Sequence, residues 1–200
     1  MNDTDSTDSI RRAMAGDAAA AAQLWRAHRR WVAAILLAHK PRTEDLDDLL
    51  QEVALTMVEK LTQLDDPGAF RGWLRSVAVN TARATGRKQT RRRGLLKLVR
   101  PEPQPDAAPA GGWSDPAGIE RAERSKRLQG LVDELPESYR ECVLLRCVRG
   151  MSHAEISAAT GLPETTVETR IARGRRKLRQ LAGEQANTNE PSPSAQAASS

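Results

Sequence analysis

Aromatic side chains are scarce in this sequence, at 3% of 200 residues, with one Phe and one Tyr. Any core must therefore rest on Leu, Val, Ile and Ala. An Ala-, Leu- and Arg-rich chain with little Thr, Tyr or Phe favours helix over strand. Strand-like alternation is nearly absent, so the expected fold class is all-α. Cysteine is limited to Cys142 and Cys147. Five residues apart on a helix, the two face different ways, which excludes easy pairing, and they match no metal-ligand spacing. Both read as core or half-buried thiols in a reducing compartment. No stretch approaches the roughly 20 apolar residues of a membrane span, so no membrane insertion is expected. Residues 1–9 are polar and acidic, unlike a signal peptide, and a cytoplasmic protein is expected. No metal, no cofactor and no catalytic group is expected either. The acids between 44 and 52 wrap around one helix and make a poor metal cage. His153 has no nucleophile or metal partner nearby in the pattern.

What is present is uneven charge. The formal net charge is +5. Residues 83–100 carry eight basic side chains and no acid, and residues 170–179 carry six and no acid. Residues 43–52 carry five acids and no base. Two basic clusters and one acidic segment point to a polyanionic partner and a separate contact of opposite sign.

The punctuation of the chain divides it. Residues 1–8 read as disordered. A helical stretch from Ser9 to Lys40, broken near Gly16, ends at Pro41. Thr43 reads as the N-cap of the next helix, whose Leu46, Leu49, Leu50, Val53, Met57 and Leu61 form an i, i+3, i+4, i+7 stripe. Asp65-Asp66-Pro67-Gly68 is a turn, followed by a helix from Phe70 to Arg87 with Phe70, Trp73, Leu74, Val77 and Ala78 inward. Residues 101–118 hold five of the eleven prolines and three glycines, which no regular element tolerates. The expected organisation is thus a domain over 9–98, a flexible Pro/Gly-rich linker over 99–118, a second domain over 119–182 and a disordered tail over 183–200.

The second domain carries the clearest motif. Helices are expected over 119–134, ended by Pro136, and over 137–148, ended by Gly150. Ser152-His153-Ala154-Glu155 is a capping box opening a short helix. Thr160-Gly161-Leu162 is a tight turn, and Pro163 takes the first position of the last helix. Two helices joined this way, with Ile156, Val167 and Ile171 inward, describe a helix-turn-helix. The second helix opens with Glu164, Thr165 and Thr166, then turns Thr169, Arg170 and Arg173 outward. The N-terminal end of such a helix reads base edges; Arg suits guanine and Thr either bases or phosphates. Arg175, Arg176, Lys177 and Arg179 suit phosphates. Glu168 sets a negative charge on that side, where it can accept from a cytosine amine or pair with Arg173 or another nearby Arg.

The stretch from Leu135 to Arg179 resembles region four of the sigma-seventy family of RNA polymerase sigma factors. Asp47-Asp48-Leu49-Leu50-Gln51-Glu52-Val53 resembles the region-two segment that docks on the polymerase clamp. Phe70-Arg71-Gly72-Trp73-Leu74 with Val77-Ala78-Val79-Asn80 resembles the region that captures and melts the minus-ten element. Two patterns in order, with a linker and no region three, resemble the extracytoplasmic-function group over residues 10–182. The departures are Ser157, where Ala is usual, and Glu168, where Lys is common.

The resemblance implies a non-enzymatic subunit that binds RNA polymerase core and directs it to promoter DNA, under the control of an anti-sigma protein, and monomeric when free. It implies core contacts at Asp47, Asp48, Leu49, Gln51 and Glu52. Minus-ten contacts are implied at Asp66, Gly68, Arg71, Asn80, Arg83, Arg87 and Lys88, with Arg91, Arg92 and Arg93 as phosphate contacts or as linker. Minus-thirty-five contacts are implied at Glu164, Thr165, Thr166, Glu168, Thr169, Arg170, Arg173, Arg175 and Arg176. Phe70 and Trp73 are expected mainly in the core. The rival reading is a stand-alone helix-turn-helix regulator, which needs a dimer interface and a palindromic operator. A nucleic-acid enzyme would need a nucleophile or carboxylate cluster, which the pattern lacks.

Overall fold

The computed structural model describes residues 3–96 and 127–188, with side chains described over 7–88 and 127–183. The expected linker, and residues 119–126 of the helix expected after it, lie outside the described residues. Among the described residues every regular element is helical.

Helix α2 (Ala18–His39) is central. Its stretch from Trp31 to Ala38 contains no polar residue, and Val32, Ala34, Ile35, Leu36 and Ala38 are all at most 1% exposed. A helix apolar on every side has to be covered on every side. Helices α1 (Asp3–Met14), α3 (Leu46–Lys60) and α4 (Phe70–Leu96) pack on it, and so does α5 (Glu137–Arg149) from the C-terminal half.

Local chemistry sets the ends of these helices. Helix α1 starts at Asp3, inside the stretch expected to be disordered, because Ile10 and Ala13 bury against the bundle. Gly16, at φ +92°, breaks the path, and Asp17 caps α2 by accepting from the amides of Ala19 and Ala20. The cap of α3 is Asp45, not Thr43: its carboxylate accepts from the amides of Asp47 and Asp48 at 2.7 and 3.3 Å. Lys40 is buried and donates to the carbonyl of Glu44 at 2.8 Å, tying down the connection between α2 and α3. Asp66 accepts from the amide of Gly68 at 2.8 Å and shapes the 3-10 turn Pro67–Ala69. Helix α4 runs on past Arg87 to Leu96. Positions 91–93 are therefore helical rather than linker, as a run of Arg, Lys and Gln favours.

In the C-terminal half, residues 127–133 are helical. Helix α5 ends at Gly150, φ +68°, in the left-handed conformation that glycine adopts without a Cβ penalty. Helix α6 (His153–Thr160) has the expected capping box: the Ser152 hydroxyl accepts from the Glu155 amide, and the Glu155 carboxylate accepts from the Ser152 amide. Gly161, φ +72°, makes the turn. The Ser157 hydroxyl donates to the Leu162 carbonyl at 2.6 Å, so the residue departing from the family pattern staples that corner. Helix α7 (Glu164–Thr188) starts one residue after Pro163, whose carbonyl accepts from Val167. It continues to Thr188, through the beginning of the expected tail. Cys142 is buried as expected, but Cys147 is exposed.

The largest departure concerns the two halves. The linker composition suggests independent domains, yet Cys142, Leu144 and Leu145 of α5 share one buried cluster with Trp31 and Ile35 of α2. The second apolar side of α2, which α1, α3 and α4 leave open, is what holds α5.

Candidate protein and nucleic-acid interfaces

Three outward surfaces and one internal junction carry the chemistry. The first surface is the outer side of α3. Leu49, Leu50, Val53 and Met57 face the core, which leaves Asp47, Asp48, Gln51 and Glu52 exposed. Leu49 is 2% exposed and so holds the helix in place instead of offering a contact. The apolar part of this face is Leu55 and Val58, at 64% and 62% exposed. The sequence reading passed over them, although both fall off the buried i, i+3, i+4 stripe. Asp47 is held by Arg29 of α2 at 2.8 Å. An acidic helix face with an apolar centre is suited to a protein partner with a basic, partly apolar groove.

The second surface is on α4. Ser76, Asn80, Arg83 and Arg87 are exposed and repeat at spacings of four, three and four, one stripe of a helix. Phe70, Leu74, Ala78 and Ala82 are fully buried on the opposite side. Lys88 is exposed beside the stripe, and Arg71 is exposed at its start. Trp73 is half-buried, with its ring 6.2 Å from that of Phe70. Asp66 and Gly68 sit in the turn just before α4, where the Asp66 carboxylate organises the backbone.

The third surface is on α7. Glu164, Thr165, Glu168, Thr169, Arg173, Arg175 and Arg176 are exposed, while Val167 and Ile171 are buried. Thr166 and Arg170 are half-buried. Arg170 lies beside the Cys142 thiol, whose pKa burial raises and Arg170 partly offsets. Arg170 and the more exposed Arg173 both line a shallow concavity with Tyr139, Thr165 and Thr169. The angle of α7 is set by Gly174, where an added Cβ would collide with Cγ2 of Val143 on α5.

The internal junction joins the two halves. Glu141, on α5 amid Cys142, Val143, Leu144 and Leu145, is buried. Arg75 of α4 grips it with two bonds of 2.6 and 2.7 Å, and Nε2 of His39 lies 3.0 Å away. Nδ1 of His39 lies 3.0 Å from Glu137, which also accepts from Arg83 at 3.3 Å. Each ring nitrogen of His39 thus faces a carboxylate oxygen, one of Glu137 and one of Glu141. Burial pushes the Glu141 carboxyl up, but the bonds from His39 and Arg75 outweigh it and hold the pKa at about 2. Glu137 is lowered by its bond from His39, against partial burial and with help from Arg83. At the rim, Arg42 meets Glu134 at 2.6 Å and Asp133 at 3.8 Å. The sequence reading did not find this junction; its one local trace is a Glu directly ahead of the apolar run Cys142 to Leu145, since partners 66 and 102 positions away cannot be paired from spacing.

Residues 24–92 match the family described as Sigma-70 region 2, and residues 125–178 match that described as Sigma-70, region 4. The chain is 32% identical over 176 residues to the RNA polymerase sigma factor NccH of Alcaligenes xylosoxydans xylosoxydans, covering 86% of this chain and 91% of that one. The chain belongs to the sigma-70 family, in its extracytoplasmic-function group.

This sigma factor is also 32% identical over 135 residues to the ECF RNA polymerase sigma factor SigE of Mycolicibacterium smegmatis, which covers 68% of this chain but 51% of that relative. Among solved structures, CnrH in complex with the cytosolic domain of CnrY has a TM-score of 0.61 at 26% identity, covering 90% of this chain and 97% of the other. The function of this chain is that of a sigma factor, which directs transcription initiation through core RNA polymerase. No group of His, Cys, Asp and Glu able to hold a metal occurs among the described residues. No helix among them is long and apolar enough to cross a membrane.

Proposed function

We propose that the sigma factor docks core polymerase through the outer face of α3, using Asp47, Asp48, Gln51 and Glu52 for charge and Leu55 and Val58 for apolar contact. The charges speed and orient docking and the apolar pair adds burial. The minus-ten strand is held along α4 by Asn80, Arg83, Arg87 and Lys88, with Arg71 and the turn at Asp66 and Gly68 beside it. A flipped base costs a few kcal/mol of unstacking, and a turn built by Asp66 over Gly68 supplies ordered backbone partners for it. Helix α7 enters the major groove at the minus-thirty-five element. Glu164, Thr165, Thr166, Glu168 and Thr169 stand at its reading end, Arg170 and Arg173 follow, and Arg175 and Arg176 lie on phosphate. The work is cytoplasmic, with the free protein a monomer, and an anti-sigma protein is its regulator.

The observation that carries this reading is the split of α3: one stripe is sealed in the core, and the opposite face pairs acids with two exposed apolar side chains. The test is run-off transcription with purified bacterial core and genomic promoter fragments, comparing wild type with Asp48→Arg/Glu52→Arg. Specific starts lost in the variant support the docking face. Starts that survive the charge reversals move docking elsewhere.

A further inference from the structure

We infer that the recess between α2, the start of α4 and the corner joining α5 to α6 binds a small hydrogen phosphate, held by Arg71 and Arg149. The source is free inorganic phosphate or a small phosphate monoester. Arg71 is also assigned to the minus-ten strand, but the site does not rest on that assignment. Its main test uses Arg149, which belongs to none of the proposed DNA or polymerase surfaces.

The recess encloses about 240 Å³ and is lined by His28, Trp31, Arg71, Arg149, Met151 and Glu155. Trp31 is buried, and the His28 ring stands edge-on to the rings of Trp31 and Phe70 at 6.2 and 5.2 Å. Nδ1 of His28 lies 2.9 Å from the Leu24 carbonyl. Burial lowers the pKa of His28, and the charges of Arg71 and Arg149 lower it further, against the bond to Leu24. The imidazole is therefore neutral near pH 7, and both guanidinium groups act on the same part of the recess. Arg71 comes from the first turn of α4 and Arg149 is the last residue of α5.

Arg149 carries the inference. Its Nε is buried and has no hydrogen-bond partner among the described residues. A buried donor left unmatched costs free energy until an acceptor reaches it. Among the described residues no carboxylate forms an ion pair with Arg71 or Arg149. Two guanidinium forks free of ion pairs suit the oxygens of a phosphate.

Glu155 decides which oxyanion fits. Its carboxylate accepts from the Ser152 amide at 2.7 Å, and its bonds with Ser152 hold its pKa below the usual range, with Arg71 adding to the effect. It is therefore ionised at neutral pH, and one carboxylate against two guanidinium groups leaves one positive charge in excess. Sulfate, fully ionised, meets Glu155 as a like charge with no proton to share. A hydrogen phosphate donates its P–O–H to the carboxylate and offers its other oxygens to the guanidinium groups. A nucleic-acid phosphodiester has no P–O–H, so Glu155 also disfavours a strand here. Unpaired like charge of this kind is how a site rejects the wrong ligand.

The experiment adds the full-length protein to inorganic phosphate, and separately to glycerol phosphate, and follows the phosphorus NMR line at constant ionic strength. The pH is about 6.5, near the second pKa of about 6 of a phosphate monoester, so that the proton is present. Wild type is expected to broaden the line saturably, with a dissociation constant on the order of 1 mM. Arg149→Gln removes a charge-assisted contact and is expected to weaken binding about tenfold or more. Ala27→Met, at an exposed position lining the recess, keeps every charge and fills the space, and is also expected to weaken binding. Helix content is checked by circular dichroism, and Ala27→Met carries the test if Arg149→Gln does not fold. Binding of inorganic phosphate alone assigns that source; tighter binding of glycerol phosphate assigns the monoester. No saturable broadening in wild type overturns the site. Unchanged binding in either folded variant moves the anion to another basic surface and overturns it too. Sulfate that displaces phosphate at equal concentration overturns the selection by Glu155 and with it phosphate as the ligand. A single-stranded oligonucleotide that loses as much affinity as phosphate on Arg149→Gln gives the recess to the promoter strand and overturns the small ligand.

Discussion

Substitution of Gly174 by Ala is expected to destabilise the C-terminal half even though alanine is the better helix former. In an exposed helix interior the exchange gains about 1 kcal/mol. Here the new Cβ would collide with Cγ2 of Val143 and lie 3.4 Å from Cβ of Tyr139. Val143 is 2% exposed, and a valine on a helix has one strongly preferred rotamer, so it does not swing aside freely. Overpacking of this kind costs about 1–3 kcal/mol, which after the gain of about 1 kcal/mol leaves a net loss of about 1 kcal/mol at the middle of the range. Val143→Ala alone removes two methyl-sized groups and costs about 2 kcal/mol including its cavity. In the double variant the Cβ at 174 enters the vacated space, so the losses fall short of additive by about 2 kcal/mol, as expected for residues in direct contact. The assay is urea unfolding followed by far-ultraviolet circular dichroism, which reports on the helices of both halves. Gly174→Ala as stable as wild type, or strictly additive losses, would refute the close approach of α5 and α7 as the reason for this glycine.

Acid should loosen the junction through Glu141. Its folded pKa of about 2 lies below the ordinary 4.5, so its contribution is complete above that ordinary value and is lost as pH falls through about 2. Thermal melts across this window should show a larger fall for wild type than for Glu141→Gln; parallel falls would assign acid sensitivity elsewhere. Leu55→Asp, at a side chain 64% exposed, should leave the melting temperature unchanged and weaken co-elution with core polymerase at least tenfold; unchanged co-elution would remove Leu55 from the docking face. Arg176→Ala should weaken minus-thirty-five duplex binding about equally across sequences and reduce the slope of log affinity against log salt by about 1. A change in base preference instead would make Arg176 a reader of sequence.

The sequence by itself determined the helical class, the family and the helix-turn-helix, because these depend on local rules. The capping box at Ser152, the turn glycines at 150 and 161 and the apolar stripes of α3 and α7 each need only a few neighbouring residues. The outward charges on α3, α4 and α7 were legible for the same reason, as the complement of a buried stripe. Local rules also misplaced the cap of α3, since Thr43 and Asp45 are both competent and only the path out of Lys40 chooses between them. Leu49 was offered to a partner because a stripe residue cannot be told from a contact residue until the core around it is built. What only the tertiary structure decided is the union of the halves. The polar-free segment from Trp31 to Ala38 requires cover on every side, but the identity of that cover, α5, depends on a long-range docking. Its pairing of Glu141 with Arg75 and His39 brings charges together across an interface that no spacing along the chain encodes.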